Sequence, residues 1–167
     1  MQLLFPHLLV GTTFQLIYNL HNADPALYLK LLKIWQDGVV AITSVQGLRS
    51  QYYFQPSPVT NGTNSLRVPA HKTDLLSAAL TINWNKNSDD AVAIEALEAI
   101  NSKQQALVKK AGLFNSFIYL NYSNISQNAI NTYVKKNVAR LWAASKKYDP
   151  KGFWQTRVPG YKLPKLN

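Results

Sequence analysis

The chain has 167 residues, of which 47% are hydrophobic and 16% are charged. This length fits a single domain, and the balance of apolar and charged residues argues against an intrinsically disordered chain. Cysteine is absent, which excludes disulfides, cysteine-based zinc sites and thiol nucleophiles. No apolar run approaches the roughly 20 residues that span a bilayer, so we expect no membrane partner.

The formal net charge of +10 is concentrated at one end of the chain. Residues 135–167 hold nine of the eighteen Lys and Arg residues beside a single acid, Asp149. Such a segment can bind nucleic acid through its phosphates, or it can be a solvated helix face. The aromatic residues alternate as core residues do and do not interleave with Arg, so we expect no nucleic-acid partner.

The first predicted elements are a strand and a helix. Residues 8–18 are rich in Thr, Phe, Ile and Tyr, which favour a strand. A helix is predicted to start at Asp24 and Pro25, because Asp can cap free backbone N–H groups and proline at the first helical position loses no hydrogen bond. Gly38 suits the left-handed residue that follows a helix, so we expect this helix to end there.

Two further strands and a second helix follow. Residues 49–55 alternate between two faces and precede a proline-rich loop at 56–71. Residues 78–84 place Ala, Leu, Ile and Trp on one face of a strand. The polar and acidic residues 88–90 predict the start of a second helix, which runs to the basic pair before Gly112.

The C-terminal third adds a strand over residues 114–122, a helix over 130–147 and an extended arm from Tyr148 onward. Thr, Tyr and Gln alternate with apolar residues in the predicted strands. Strands of this kind have one polar face, which is typical of antiparallel pairing. We therefore predict an α+β fold with a largely antiparallel sheet flanked by helices.

Few residues are arranged for chemistry. The seven glycines never cluster into a phosphate-binding loop, and the three histidines lack metal-ligand spacing, so we expect no metal site. Glu95 and Glu98 lie one helical turn apart, where a solvated helix face is the favoured interpretation. The chain therefore holds too few groups of the right kinds to be a self-sufficient enzyme.

Four motifs in the C-terminal third resemble a known flavoprotein family. They are FIYLNYS at residues 117–123, NVARL at 137–141, KYDP at 147–150 with Phe153, and RVPGYKL at 157–163. In this order they resemble the C-terminal end of berberine bridge enzyme-like FAD-linked oxidoreductases, within the vanillyl-alcohol-oxidase or PCMH-type superfamily. The resemblance is closest to fungal members, many of which serve secondary-metabolite pathways, and it extends more weakly over residues 8–166.

The resemblance implies a division of labour along the chain. In the family, an N-terminal portion binds FAD, a central portion with an antiparallel sheet binds a small-molecule substrate, and the chain end returns to the flavin domain. Residues 1–113 then correspond to the rear part of the substrate-binding domain and residues 114–167 to the returning C-terminal segment. Nothing here matches the FAD-binding portion, so the resemblance implies a truncated member whose N-terminal FAD-binding domain is absent.

The resemblance also implies a site. In relatives the Asn of Tyr-x-Asn lies against the flavin and the following Tyr acts as the base. By position, Tyr119 and Asn121 are then cofactor-binding residues for FAD, and Tyr122 is the catalytic base. A flavin accepts a hydride from carbon while the base takes a proton from the adjoining oxygen. A phenol, with a reference pKa of about 10, does this only where positive charge or the flavin stabilises its anion.

The residues alone favour a plainer interpretation of the same motif. Tyr119 and Tyr122 would then be ordinary strand aromatics. A regular strand would also place Asn121 and Tyr122 on opposite faces, so both can address one flavin only if the strand ends or bulges there.

Three functions follow from these alternatives. The favoured one is a truncated FAD-linked oxidoreductase homologue, inactive and not expected to bind FAD alone. The second is one piece of a split oxidoreductase whose partner is a separate FAD-domain chain. The third is a flavin-free small-molecule binding module or non-redox catalyst, with a pocket lined by residues such as Gln51, Tyr53 and Asn83. The N-terminus lacks a convincing signal peptide, so the sequence as written favours a cytoplasmic location. Relatives of the family can nevertheless be secreted.

Overall fold

A computed structural model describes residues 12–61, 70–71 and 74–165. The strands are β1 (Thr12–His21), β2 (Arg49–Pro56), β3 (Leu75–Trp84) and β4 (Phe114–Asn115). The helices are α1 (Pro25–Val40), α2 (Asp90–Lys110), α3 (Lys135–Tyr148) and α4 (Phe153–Thr156). The predicted α+β class is therefore confirmed.

The four strands form one sheet in the order β2-β3-β1-β4, and every neighbouring pair is antiparallel. β1 and β3 pair along their whole length, from Thr12 opposite Trp84 to His21 opposite Leu75. The antiparallel sheet predicted from one-sided polarity is thus confirmed. The part of the first predicted strand before residue 12 lies outside the described residues, as does much of the predicted loop at 56–71.

One face of the sheet packs on α1 and α2. Alternate residues of β1 and β3 point to this face and are almost fully buried, among them Tyr18, Leu20, Leu80 and Trp84. Burial of a single large apolar side chain contributes about 1.5–3 kcal/mol, so this layer supplies most of the stabilising apolar contact. We call it the helix face of the sheet.

The start of α1 was predicted correctly and its end was not. The Asp24 Oδ1 atom accepts a hydrogen bond from the Leu27 backbone N–H at 2.9 Å, and Pro25 occupies the first turn. Gly38, however, lies inside the helix, which continues to Val40. A Cβ at this glycine would lie 2.3 Å from the Ile100 Cγ1 atom of α2, so Gly38 allows the two helices to approach closely. Tertiary packing explains this glycine better than helix termination does.

Helix α2 begins near its predicted start, although not through a side-chain cap. Asp89 precedes the helix, but its carboxylate accepts a hydrogen bond from the Gln46 backbone N–H at 3.2 Å. Asp90 accepts one from the Trp84 indole N–H at 2.6 Å. The acids therefore tie the helix start to neighbouring elements. Glu95 and Glu98 are exposed, which confirms the solvated-face interpretation.

The predicted strand over 114–122 is wrong beyond its first two residues. Only Phe114 and Asn115 pair with β1, and the chain then leaves the sheet. Residues 116–134 run across the other face of the sheet through three short 3₁₀ turns. We call these residues the crossing segment. The third helix accordingly starts at Lys135 and not at residue 130, and the predicted extended arm contains the single-turn helix α4.

None of the helices within the described ranges is long and apolar enough to cross a bilayer.

Candidate functional site

The crossing segment is attached to the sheet by side-chain amides. The Gln127 amide mimics a neighbouring strand: its Nε2 donates to the Ile17 carbonyl at 2.6 Å, and its Oε1 accepts from the Ile17 N–H at 3.0 Å. The Gln15 side chain donates to the Tyr122 carbonyl at 2.7 Å. Asn19 donates in the same way to the Phe117 carbonyl. These bonds satisfy polar groups that burial would otherwise leave unpaired.

A pocket of about 440 Å³ opens where the crossing segment meets the end of β2. Its lining residues carry hydroxyl, amide, proline and aromatic groups and no charged side chain: Gln55, Pro56, Ser57, Pro58, Thr60, Ser77, Phe117, Tyr119 and Tyr122. Its volume falls within the range of about 300–1,000 Å³ that is usual for small-molecule sites. Aromatic walls with a few polar groups suit an uncharged organic molecule.

Two of the three predicted site residues line this pocket, and the third contacts them. The rings of Tyr119 and Tyr122 meet edge to face, with centroids 5.1 Å apart. The Asn121 side-chain amide donates a hydrogen bond to the Tyr119 hydroxyl at 3.0 Å. Tyr119 and Tyr122 are half-buried and Asn121 is exposed. The motif therefore forms one connected cluster at an open surface.

A 3₁₀ turn over Leu120–Tyr122 explains how this cluster forms. In a regular strand, Asn121 and Tyr122 would have pointed to opposite faces. The turn breaks that alternation, and it is closed by the Ser123 hydroxyl, which donates to the Leu120 carbonyl at 3.0 Å. Ser123 in turn meets Tyr161 of the chain end, whose hydroxyl donates to the Ser123 carbonyl at 2.6 Å.

Two further tyrosines flank the cluster. Burial raises the pKa of Tyr53, and the nearby Tyr122 raises it further. A hydrogen bond with Thr81 lowers this pKa, but by less than the other two effects raise it. Burial likewise raises the pKa of Tyr133, with a smaller contribution from Tyr119. Both phenols therefore stay protonated to higher pH than a free phenol.

Several pocket residues could not be found from the sequence. Ser77 and the prolines of the β2 end are brought to Tyr122 only by the sheet register and by the path of the crossing segment. Gln51, Tyr53 and Asn83, expected to line a pocket in a flavin-free protein, are not among the residues lining the 440 Å³ pocket. Asn83 donates to the Thr13 hydroxyl at 2.5 Å. Gln55 continues the polar alternation of β2, but nothing in the sequence indicated that it lines a pocket.

The arrangement offers two kinds of chemistry. The phenols of Tyr119 and Tyr122 can donate or accept protons beside a bound molecule, and the exposed Asn121 amide can pair with a polar ring edge. Within the described ranges, no group of three or more His, Asp or Glu residues could hold a metal ion.

Comparison with known proteins shows that the chain is similar to fungal flavoenzymes. The chain is 31% identical over 101 residues to the FAD-dependent monooxygenase tpcD of Cochliobolus heterostrophus, a match covering 60% of this chain and 20% of that protein. It is 31% identical over 123 residues to the FAD-dependent monooxygenase drtC of Aspergillus calidoustus, covering 68% and 23%. An oligopeptidase of Diaporthe leptostromiformis is 29% identical over 138 residues, covering 78% of this chain and only 11% of that protein.

The matches are partial. This chain spans about a fifth to a quarter of the length of the monooxygenases that it matches. No family model matches the chain, and no solved structure matches it. The chain is thus similar to fungal FAD-dependent flavoenzymes. These matches do not distinguish the berberine bridge enzyme-like family from other FAD-dependent families.

Proposed function

We propose that these residues form the substrate pocket and the proton-accepting side chain of a flavin-linked oxidoreductase of the berberine bridge enzyme-like type. The observation that carries the proposal is the pair Tyr119 and Tyr122 on the wall of the 440 Å³ pocket, with Asn121 bonded to Tyr119 beside it. The similarity to FAD-dependent monooxygenases supports the flavin-linked part of the proposal. The substrate is a small organic molecule.

Each residue of the cluster has a role in this proposal. Tyr122 borders the pocket and would accept the proton from the substrate oxygen as a phenolate, an anion that the bound flavin would have to stabilise because the lining residues carry no charge. Asn121 holds the polar edge of the flavin ring: it is exposed, and within the described ranges its Oδ1 accepts no hydrogen bond. Tyr119 orients Asn121 through the 3.0 Å bond. FAD, when bound, accepts the hydride.

These residues fit the ring of FAD but not its diphosphate. Phosphates usually bind at glycine-rich loops that open a helix, and the seven glycines of this chain are scattered. We therefore assign the diphosphate cradle to polypeptide outside these 167 residues, whether in the same or a separate chain. Residues 1–113 would belong to the substrate-binding domain and residues 114–167 to the segment that closes over the flavin. Alone, the 167 residues would be inactive.

The test is reconstitution with an FAD-binding portion. The portion of tpcD that precedes its match to this chain is co-expressed with the 167 residues, and the purified material is examined for flavin absorbance. We expect a yellow complex whose flavin bleaches without oxygen when a suitable small alcohol or phenol is added. Colourless material, or flavin bound by the 167 residues alone, would contradict the proposal.

Variants then separate the roles. Tyr122→Phe should keep flavin absorbance and slow bleaching by about 10²–10⁴-fold, the usual contribution of a general base. Asn121→Ala should weaken retention of flavin. Tyr148→Phe, at a position that is 77% exposed and does not line the pocket, is the matched control for Tyr122 and should bleach at the normal rate. Equal bleaching by Tyr122→Phe and the unaltered protein would refute Tyr122 as the base.

The flavin-free alternative gives a different outcome. The pocket is lined entirely by residues of this chain, so a binding module would bind small aromatic molecules without any flavin partner. Quenching of tyrosine and tryptophan fluorescence by such molecules, combined with failure of every reconstitution, would favour a binding module.

A further inference from the structure

Large aromatic side chains are exposed where α3 meets α4. Tyr148 is 77% exposed, Phe153 55% and Trp154 61%. Exposure of one apolar residue is ordinary, but three large rings within seven residues form an apolar patch that water solvates poorly. We call residues 146–157 the α3–α4 surface.

The same surface is positively charged. It holds Lys146, Lys147, Lys151 and Arg157 beside one acid, Asp149. Both oxygens of that carboxylate are occupied by backbone, since they accept the N–H groups of Phe153 at 2.8 Å and Trp154 at 2.9 Å. Asp149 therefore holds α4 in place, and the four cations are exposed with no other acid in the segment, with Lys147 Nζ lying 5.1 Å from the centroid of the Tyr148 ring.

We propose that the α3–α4 surface binds the surface of an anionic lipid membrane. Phe153 and Trp154 would enter the headgroup region, where amphipathic aromatic rings are favoured, and the lysines would approach the lipid phosphates. Binding of an amphipathic surface to a membrane strengthens with the apolar area that it buries and with its electrostatic attraction to anionic lipids. Each lysine near an anionic membrane strengthens binding by about fivefold. The expectation of no membrane partner considered only segments long enough to span a bilayer.

The ring geometry favours lipid over nucleic acid. Single-stranded nucleic acids stack their bases flat on aromatic faces. The planes of Phe153 and Trp154 are 88° apart with centroids 5.9 Å apart, so the two rings offer no continuous stacking platform.

The test is binding of the 167-residue protein to vesicles. Phosphatidylcholine vesicles are compared with vesicles that contain about one-third phosphatidylserine, and bound protein is measured by flotation at low and high salt. We expect binding to the anionic vesicles at least tenfold tighter than to neutral ones, weakened by salt. No binding, or equal binding to both compositions, would overturn the proposal.

Variants locate the binding surface. F153A/W154A and K146E/K151E should each weaken binding to anionic vesicles at least tenfold. The matched controls are L29A/V92A, which removes exposed apolar side chains of α1 and α2, and K103E/K110E, which makes the same charge change on α2. Circular dichroism checks that all four variants are folded.

Two results would count against a lipid site in particular. If the control pairs reduce binding as much as the α3–α4 pairs, attachment is due to net charge. If a DNA oligomer or polyglutamate binds through the same aromatic residues as tightly as the vesicles do, the surface is a general site for polyanions or acidic proteins.

The α3–α4 surface contributes no residue to the 440 Å³ pocket, but it lies within residues 114–167, which the proposed function places over the flavin. The vesicle assay is therefore repeated on the reconstituted complex, where retained binding supports the membrane proposal. Loss of binding there would assign the surface to the FAD-binding portion and overturn the membrane proposal.

Discussion

The two faces of the sheet are covered in different ways. The helix face is a continuous apolar layer under two long helices, and its residues are almost completely excluded from water. The other face carries Gln15, Asn19 and Thr81 and is covered by the crossing segment, which is held by side-chain amides. A smaller apolar cluster of Leu75, Phe117, Tyr133 and Val138 also packs on this face. The helix face therefore holds the larger apolar core, while directional hydrogen bonds and this smaller cluster together place the pocket and its tyrosines.

The largest effect is expected from a cavity in the helix face. Leu80→Ala removes a fully buried side chain of β3 and should lower the free energy of unfolding by about 2–5 kcal/mol. Urea denaturation measures the change, and Leu29→Ala, at an exposed position of α1, is the control. A loss below about 1 kcal/mol would contradict the view that this face carries the stability.

Alkaline pH should weaken the helix face next. The hydroxyls of Tyr18 and Tyr52 bond each other at 2.8 Å, and burial raises the pKa of both above the ordinary value. In the unfolded chain these tyrosines lose protons near pH 10, so stability is complete below that pH and falls as pH rises. The loss at pH 11 should be roughly 1–3 kcal/mol for the pair.

Thermal unfolding at pH 7, 9 and 11 measures this loss. The double variant Y18F/Y52F should show a smaller decrease between pH 9 and 11 than the unaltered protein. Tyr148→Phe, at a highly exposed position, should leave the decrease unchanged. An equal decrease in all three proteins would show that other groups are responsible.

A smaller effect is expected from the amide that holds the crossing segment. Gln127→Ala leaves the buried Ile17 N–H and carbonyl without their partners, which should cost about 2 kcal/mol. Hydrogen exchange should accelerate in residues 116–134 and remain slow in β3. Gln127→Glu keeps one acceptor oxygen but sets a carboxylate against the Ile17 carbonyl, so it should destabilise at least as much as Gln127→Ala. Uniform acceleration across both regions would mean that the two faces unfold together.

The smallest effect is expected at the exposed amide of the cluster. Asn121→Ala removes one exposed hydrogen bond to Tyr119 and should change stability by less than about 0.5 kcal/mol. Urea denaturation measures the loss of stability in Asn121→Ala and in Gln127→Ala. The comparison distinguishes a residue that is available for function from one that stabilises the fold. A loss comparable to that of Gln127→Ala would assign Asn121 a structural role.

Much of the helix face could be predicted from the sequence. The alternation of residues 78–84 and the Asp24-Pro25 start depend on neighbouring residues only, and both agree with the structure. The prediction failed where tertiary contact overrides local preference. Gly38 is a close-packing position against Ile100, and Phe117 leaves the sheet because side chains from β1 replace strand pairing.

The candidate site was predicted in part. Resemblance pointed to Tyr119, Asn121 and Tyr122, and the structure places them together at a pocket, while their roles toward FAD stay predictions. The sequence could not indicate that Ser77 and Gln55 share that pocket. Both are distant in sequence from Tyr122 and meet it only through the sheet register.

The sequence by itself determined the α+β class, the antiparallel sheet and the amphipathic helices, because strand alternation, helix caps and apolar periodicity are properties of neighbouring residues. Only the tertiary structure decided the path of the crossing segment, the pocket and the contact between the two tyrosines. The physical reason is that amide-to-backbone bonds such as Gln127 to Ile17 join residues 110 positions apart. Their geometry exists only after the helix face has packed.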